Sequence, residues 1–148
     1  MRNWLVVLSL FVGLQSFAQN EILGTWYNDI KSSKIEVYEE KGLYYGRIIW
    51  LEDPANSDGS TPRVDEFNED PVLAKRQLMN LVILKELEWN ASEKEWQEGT
   101  IYDPNNGKTY KAKATQTGAD SLDVRGYMGI SLIGKSQTWK RVQADAPN

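Results

Sequence analysis

Seven polar side chains stand in or beside apolar segments of this chain and are the best candidates for ligand chemistry. They are Arg47, Arg76, Lys108, Tyr110, Arg125, Tyr127 and Gln137. Cations that share a rim with hydroxyl and amide groups can hold a carboxylate or another anionic head group above an apolar cup. If the seven gather at one mouth of a barrel, they predict binding of a small amphipathic ligand. The alternative is that they form surface ion pairs, which contribute little to stability.

Composition excludes several kinds of catalysis and argues against a metal site. The 148 residues include no Cys and no His, which rules out a disulfide, a thiolate nucleophile, a Cys/His zinc site and a His general base. A hydrolase would need two carboxylates or a Ser–Lys pair such as Ser131 and Lys135. The acidic segment around Asp58 fails the calcium-loop template, because Pro54 would occupy the first ligand position. No catalytic residue, metal or cofactor is predicted.

The N-terminus has the pattern of a secretory signal peptide. A basic start at Arg2 precedes an apolar run of about ten residues and then small residues, which predicts a signal over residues 1–18 with cleavage after Ala18. The run is too short to span about 30 Å of hydrocarbon as a membrane anchor. The sequence therefore predicts a periplasmic or secreted protein that is not an integral membrane protein.

Charge argues against nucleic acid as a partner. The formal net charge is −4, and loss of Arg2 with the signal would make it −5. A nucleic-acid binder normally presents a basic surface, and no basic stretch occurs here. The pattern specifies no oligomeric state.

Short apolar-rich segments separated by turn residues predict one all-β domain over residues 19–148. Lys34 to Glu39 alternates strictly, with Ile35 and Val37 on one face, which is typical of a half-buried strand. Strand candidates recur roughly every ten residues, a spacing that favours an antiparallel barrel or sandwich. The strand candidates cover residues 22–27, 34–39, 43–51, 78–87, 95–103, 108–115, 121–128 and 135–142.

A long polar connection interrupts this pattern after the third strand. Residues 52–70 are poor in apolar side chains, and long loops in compact domains are often functional. Asp70 followed by Pro71 is a helix-start signal that predicts a short helix over 71–77. This loop is the basis of an alternative function, an envelope protein–protein or cell-wall interaction module.

Both ends of the chain carry residues that would close a barrel. The first strand contains Gly24 and Trp26, and the last contains Trp139 and Arg141. Paired first and last strands would place the Arg141 guanidinium over Trp26, a cation–π contact worth about 0.5–2 kcal/mol. The Gly-x-Trp at the first strand and the Arg on the last resemble the signature of lipocalin-like (calycin) barrels.

Two longer blocks resemble a bacterial family. They run from Gly99-Thr100-Ile101-Tyr102-Asp103-Pro104 to Gly107-Lys108-Thr109-Tyr110, and from Leu122 through Arg125-Gly126-Tyr127 to Arg141. With Asn68-Glu69-Asp70-Pro71 upstream, they are similar to the secreted bacterial domain of unknown function number 2147. The resemblance implies export and an up-and-down lipocalin-like barrel, and it supplies no ligand or catalytic residue.

The preferred interpretation is an exported protein that binds a small amphipathic or hydrophobic ligand inside the barrel. Tyr110, Ala112 and Ala114 share one strand face, and such small inward side chains either leave room for a ligand or pack against a large residue such as Trp50 or Trp139. The interaction module is the first alternative, and a carboxylate hydrolase is the second and less favoured one.

Overall fold

The computed structural model describes residues 18–129 and 133–144, which include a closed barrel of eight antiparallel strands. Each strand pairs with its neighbours in the chain, and β1 pairs with β8 to close the sheet. This confirms the predicted up-and-down barrel. The strands are β1 (Gly24–Tyr27), β2 (Ser33–Glu40), β3 (Leu43–Leu51), β4 (Val82–Asn90), β5 (Glu95–Asp103), β6 (Lys108–Gly118), β7 (Ser121–Tyr127) and β8 (Gly134–Arg141).

One end of the barrel is closed by the predicted contact between the first and last strands. The Arg141 guanidinium carbon lies 4.1 Å from the centroid of the fully buried Trp26 ring. Its two terminal nitrogens donate to the carbonyls of Leu23 (2.8 Å) and Glu21 (2.7 Å). Gly24 has a φ of +123°, and a Cβ there would come within 2.9 Å of the guanidinium. Arg141 therefore ties the segment before β1 across the barrel end.

Arg141→Lys is expected to lower the free energy of unfolding by about 1–2 kcal/mol. Lysine keeps the charge but cannot reach two carbonyls as a planar fork while stacking on an indole. Urea unfolding would measure the change, with Lys140→Arg as the control because Lys140 is exposed on the other face of β8. Equal stability of Arg141→Lys and the parent would show that the fork is dispensable.

The half of the barrel next to this closed end is filled by side chains. Trp96 is buried opposite Ala114 on the neighbouring strand, and its indole N–H donates to the Gln19 carbonyl. Ala112 and Ala114 are completely buried in this core. The small side chain of Ala114 thus leaves room for the Trp96 indole opposite it. Of the partners predicted for them, Trp50 is instead 36% exposed, on the outer face of β3.

The connection from β3 to β4 contains one short 3₁₀ helix, Leu73–Lys75, in place of the longer helix predicted over 71–77. Asp70 is not the N-cap residue that the sequence predicted, since Val72 holds that position, but its carboxylate accepts from the N–H groups of Val72 and Leu73 at the start of the helix. The helix ends early because Arg76 is extended and its carbonyl accepts from Asp65 N–H. Tertiary pairing thus competes with further helical turns.

The predicted signal peptide lies outside the described residues except for Ala18, and so does Ser131 of the Ser–Lys pair. Within the described part of the chain, no helix has the length and apolar character needed to cross a bilayer.

Candidate ligand-binding site

A cavity of about 460 Å³ occupies the half of the barrel opposite the closed end. Its wall is aliphatic and aromatic, with Ile35, Ile48, Ile101, Val124 and Trp139 among the lining residues. Along β8, the inward residues Lys135, Gln137 and Trp139 lead from the mouth towards the filled core. The cavity is therefore polar at its opening and apolar at depth.

The loops that join β1–β2, β3–β4, β5–β6 and β7–β8 surround the mouth and contribute its polar lining. Two cations, Arg63 and Lys135, line the opening, and neither forms an ion pair with another described residue. The lining carboxylate is Asp103, which accepts the Asn105 N–H at 2.9 Å. The formal charge of the residues that line the cavity is thus +1.

Three of the seven predicted ligand-binding residues line this cavity. They are Tyr110, Tyr127 and Gln137. The Tyr110 hydroxyl accepts from the Asn106 amide at 2.9 Å, and the Gln137 carbonyl oxygen accepts from the Trp139 indole N–H at 3.2 Å. These bonds leave hydrogen-bonding capacity on both side chains for a ligand.

The prediction that all seven gather at one mouth is wrong, because strand alternation turns two cations outward. Arg47 lies between the inward Gly46 and Ile48, and it pairs with Glu36 at 3.1 Å on the outer face. Arg125 follows the inward Val124, and its guanidinium donates to Ser136 at 3.0 Å.

Lys108 and Arg76 are likewise absent from the cavity lining. Lys108 is exposed at the start of β6. Arg76 forms an ion pair with Asp65 within the long connection. The cations found at the mouth, Lys135 and Arg63, were not among the seven. Alternation on β8 could have indicated Lys135, whereas Arg63 stands in a loop without a periodic signal.

A buried carboxylate holds the long connection against the barrel wall beside the cavity. Asp65 is completely buried, and one of its oxygens accepts from the Arg76 guanidinium and from the Asn68 amide, each at 2.9 Å. Its other oxygen accepts from the Tyr102 hydroxyl at 2.6 Å. Burial raises the pKa of Tyr102, and the hydrogen bond to Asp65 adds to the effect. The hydroxyl therefore remains a donor at neutral pH.

The turn after β5 also helps to hold the β3–β4 connection against the barrel wall. The predicted Asp-Pro-Asn-Asn-Gly turn is present, with the Gly107 N–H donating to the Asp103 carbonyl. Gly107 has a φ of +71°, and a Cβ there would collide with the Phe67 carbonyl oxygen. Glycine is thus needed both for backbone conformation and for close approach of the connection. The first of the two blocks that carry the family resemblance, which contains Tyr102 and Gly107, therefore positions a wall of the cavity.

Polar side chains in the first part of the connection form local hydrogen bonds. The Asn56 side chain bonds to Ser60, Pro62 and Val64, and Asp58 accepts from Ser60. Hydrogen bonds from Ser60 lower the pKa of Asp58. Within the described ranges, no group of three or more Asp or Glu side chains is arranged to hold a metal ion.

Comparison with known proteins agrees with the architecture. The family model described as "Uncharacterized protein conserved in bacteria (DUF2147)" matches residues 24–141, which extend from the start of β1 to the end of β8. A solved structure of protein HP1028 from the human pathogen Helicobacter pylori, described as belonging to the lipocalin family, superposes with a TM-score of 0.69. The two chains are 27% identical over 82% of this chain and 83% of that one. No curated protein matches the chain.

Proposed function

The chain belongs to the bacterial DUF2147 family and forms a lipocalin-like barrel, and we propose on this basis that it binds a small amphipathic molecule whose apolar part enters the barrel. The cavity at the open end of the barrel is the observation that supports this most directly. Its volume of about 460 Å³ lies within the range of roughly 300–1,000 Å³ typical of small-molecule sites. The superposition on a member of the lipocalin family supports the same proposal.

The polar mouth favours an anionic head group. Arg63 and Lys135 lack an ion-pair partner among the described residues, and they share the opening with the hydroxyl of Tyr110. A carboxylate or sulfonate at this position would gain charge-assisted hydrogen bonds while its apolar portion displaces water from the aliphatic wall. Because the charged residues that line the cavity sum to +1, the proposed ligand is a monoanionic amphiphile.

The proposed site of action is the periplasm or the exterior of the cell. The basic, apolar and small-residue regions of residues 1–18 support export, and the absence of Cys is compatible with a core stabilised without disulfides.

Two probes that differ in one charge test the proposal. Anilinonaphthalene sulfonate and the neutral N-phenylnaphthylamine share an aromatic body, and both are expected to bind with enhanced fluorescence. Lys135→Gln and Arg63→Gln are each expected to weaken sulfonate binding about two- to fivefold, since partly exposed charges contribute less than ~1 kcal/mol. The same variants should bind the neutral probe as the parent does. Fluorescence titration would measure all six affinities.

The matched control is Lys108→Gln, which removes a cation outside the cavity. Equal weakening by Lys108→Gln would mean that net charge, rather than the mouth, attracts the sulfonate. Failure of both probes to bind the parent would contradict the proposed function.

The second candidate, protein interaction through the β3–β4 connection, is favoured by the exposure of Phe67, Val72 and Leu73 in that segment.

A further inference from the structure

Exposed apolar side chains are concentrated at the open end of the barrel. Every large hydrophobic residue that is exposed in the described ranges lies in a loop around the mouth or near the mouth end of a strand. They are Ile30, Trp50, Phe67, Val72, Leu73, Met79, Met128 and Ile133. The described loops at the closed end are short and carry small or charged residues, as in the Lys41–Gly42 turn.

Three of these side chains lie at the tips of two hairpins that are neighbours in the barrel. Ile30 lies at the tip between β1 and β2 and is 73% exposed. Met128 and Ile133, exposed by 63% and 67%, flank the turn between β7 and β8. Since β8 pairs with both β1 and β7, the two tips are adjacent around the rim. We refer to Ile30, Lys31, Met128, Ile133 and Lys135 as the hairpin-tip patch.

Charge is unevenly distributed around the rim. Over residues 28–35 and 128–135, which hold the two hairpin tips, three lysines (Lys31, Lys34 and Lys135) stand against one acidic residue, Asp29, so that this part of the rim has a net charge of +2. By contrast, the connection over residues 52–81 holds seven Asp and Glu residues against three Arg and Lys residues. An anionic surface would therefore be attracted to the hairpin tips and repelled by the acidic connection.

We propose that the hairpin-tip patch docks onto the surface of an anionic lipid bilayer. Aliphatic side chains on separate loop tips can enter the interfacial region one by one, while neighbouring lysines remain at the level of the phosphates. Each Lys near an anionic leaflet contributes attraction that screening by salt reduces. Protruding tips of this kind offer little of the flat, contiguous surface that a protein partner requires.

Two aromatic residues below the patch fit the same orientation. Tyr27 and Trp50 meet edge to face with their centroids 6.3 Å apart, and Lys34 lies 5.1 and 5.3 Å from their rings. Tyrosine and tryptophan side chains are favoured at the boundary between lipid and water. Docking in this pose brings the cavity mouth to the bilayer, so that a membrane-soluble amphiphile could transfer without crossing water. That consequence for the ligand rests on the proposed function, whereas the docking does not.

Vesicle flotation of the full chain tests the docking. The vesicles would contain equal parts of phosphatidylglycerol and phosphatidylcholine, or phosphatidylcholine alone. The double variant Ile30→Ser, Lys31→Ser alters the patch without touching a cavity-lining residue. Val72→Ser, Lys75→Ser is the matched control, because Val72 is 76% exposed and lies on the acidic side of the rim. All proteins share one N-terminus, which keeps any contribution of residues 1–17 constant.

The parent and the control should float with the anionic vesicles, and the patch variant should partition about tenfold less. The proposal is overturned if the parent does not float with anionic vesicles, or if the patch variant and the control lose flotation equally. It is also overturned if the parent floats equally well with vesicles of phosphatidylcholine alone. A parent that floats as expected but binds neither fluorescent probe would support docking and contradict the proposed ligand function. A patch variant with intact probe binding and lost flotation would support both.

Discussion

Asp65→Asn is expected to lower the free energy of unfolding by about 3 kcal/mol. The carboxylate is completely buried and neutralises Arg76, and the substitution leaves a guanidinium without its counter-charge. Breaking a buried ion pair from one side typically costs about 3–5 kcal/mol. The Arg76 side chain is 32% exposed and regains some hydration, which places the expected cost at the lower end. Equilibrium unfolding in urea would measure it.

Asp58→Asn is the matched control in the same connection. Asp58 is exposed and its hydrogen bonds are made with Ser60, so the urea midpoint should stay close to that of the parent. If Asp65→Asn behaves like Asp58→Asn, the buried network does not stabilise the fold. A second measurement separates an effect of Asp65 on the cavity from its effect on the stability of the whole fold. Because Arg63 and Leu78 of the connection line the cavity, a variant that stays folded should still show altered probe affinity.

The barrel could be predicted because its signals are local and repeated. Alternation in segments such as Lys34 to Glu39 reports the inward face directly, and turn residues divide the chain at regular intervals. The residues at the two chain ends, Trp26 and Arg141, indicated closure because only a sheet that returns on itself would bring them together. The 3₁₀ helix at Leu73–Lys75 shows where this logic stops, since a backbone bond to Asp65 ends the helix.

The site was less predictable, for two physical reasons. The charge of a side chain does not show which face of its strand it occupies. The prediction therefore groups Arg47 and Arg125 with Tyr110 and Gln137, although alternation on their own strands points the two arginines outward. The contacts of Asp65 join residues up to 37 positions apart, in a loop without periodicity. The register that brings the connection against Tyr102 depends on tertiary packing. No spacing rule in the sequence encodes it.

Val124→Trp is expected to weaken binding of both fluorescent probes about a hundredfold or more. Val124 lies on the inward face of β7 and lines the cavity, so the indole would occupy space that a ligand needs. Excluding about 100 Å² of apolar probe surface corresponds to ~2.5 kcal/mol, close to two orders of magnitude in affinity. Ala112 would be a poor choice for this test, because it is completely buried and does not line the cavity, so that a large side chain there would disrupt the core. Fluorescence titration and urea unfolding would be run on the same samples.

Thr138→Trp is the matched control, since it introduces the same side chain on the exposed face of the adjacent strand. It should retain the affinity of the parent for both probes. Because the new indole enters an existing cavity, Val124→Trp should lose no more than the ~1–3 kcal/mol typical of overpacking. Val124→Phe is the milder variant if the larger one fails to fold. A folded Val124→Trp protein with unchanged affinities would place the probes outside the barrel, and the cavity would then be a packing feature rather than a binding site.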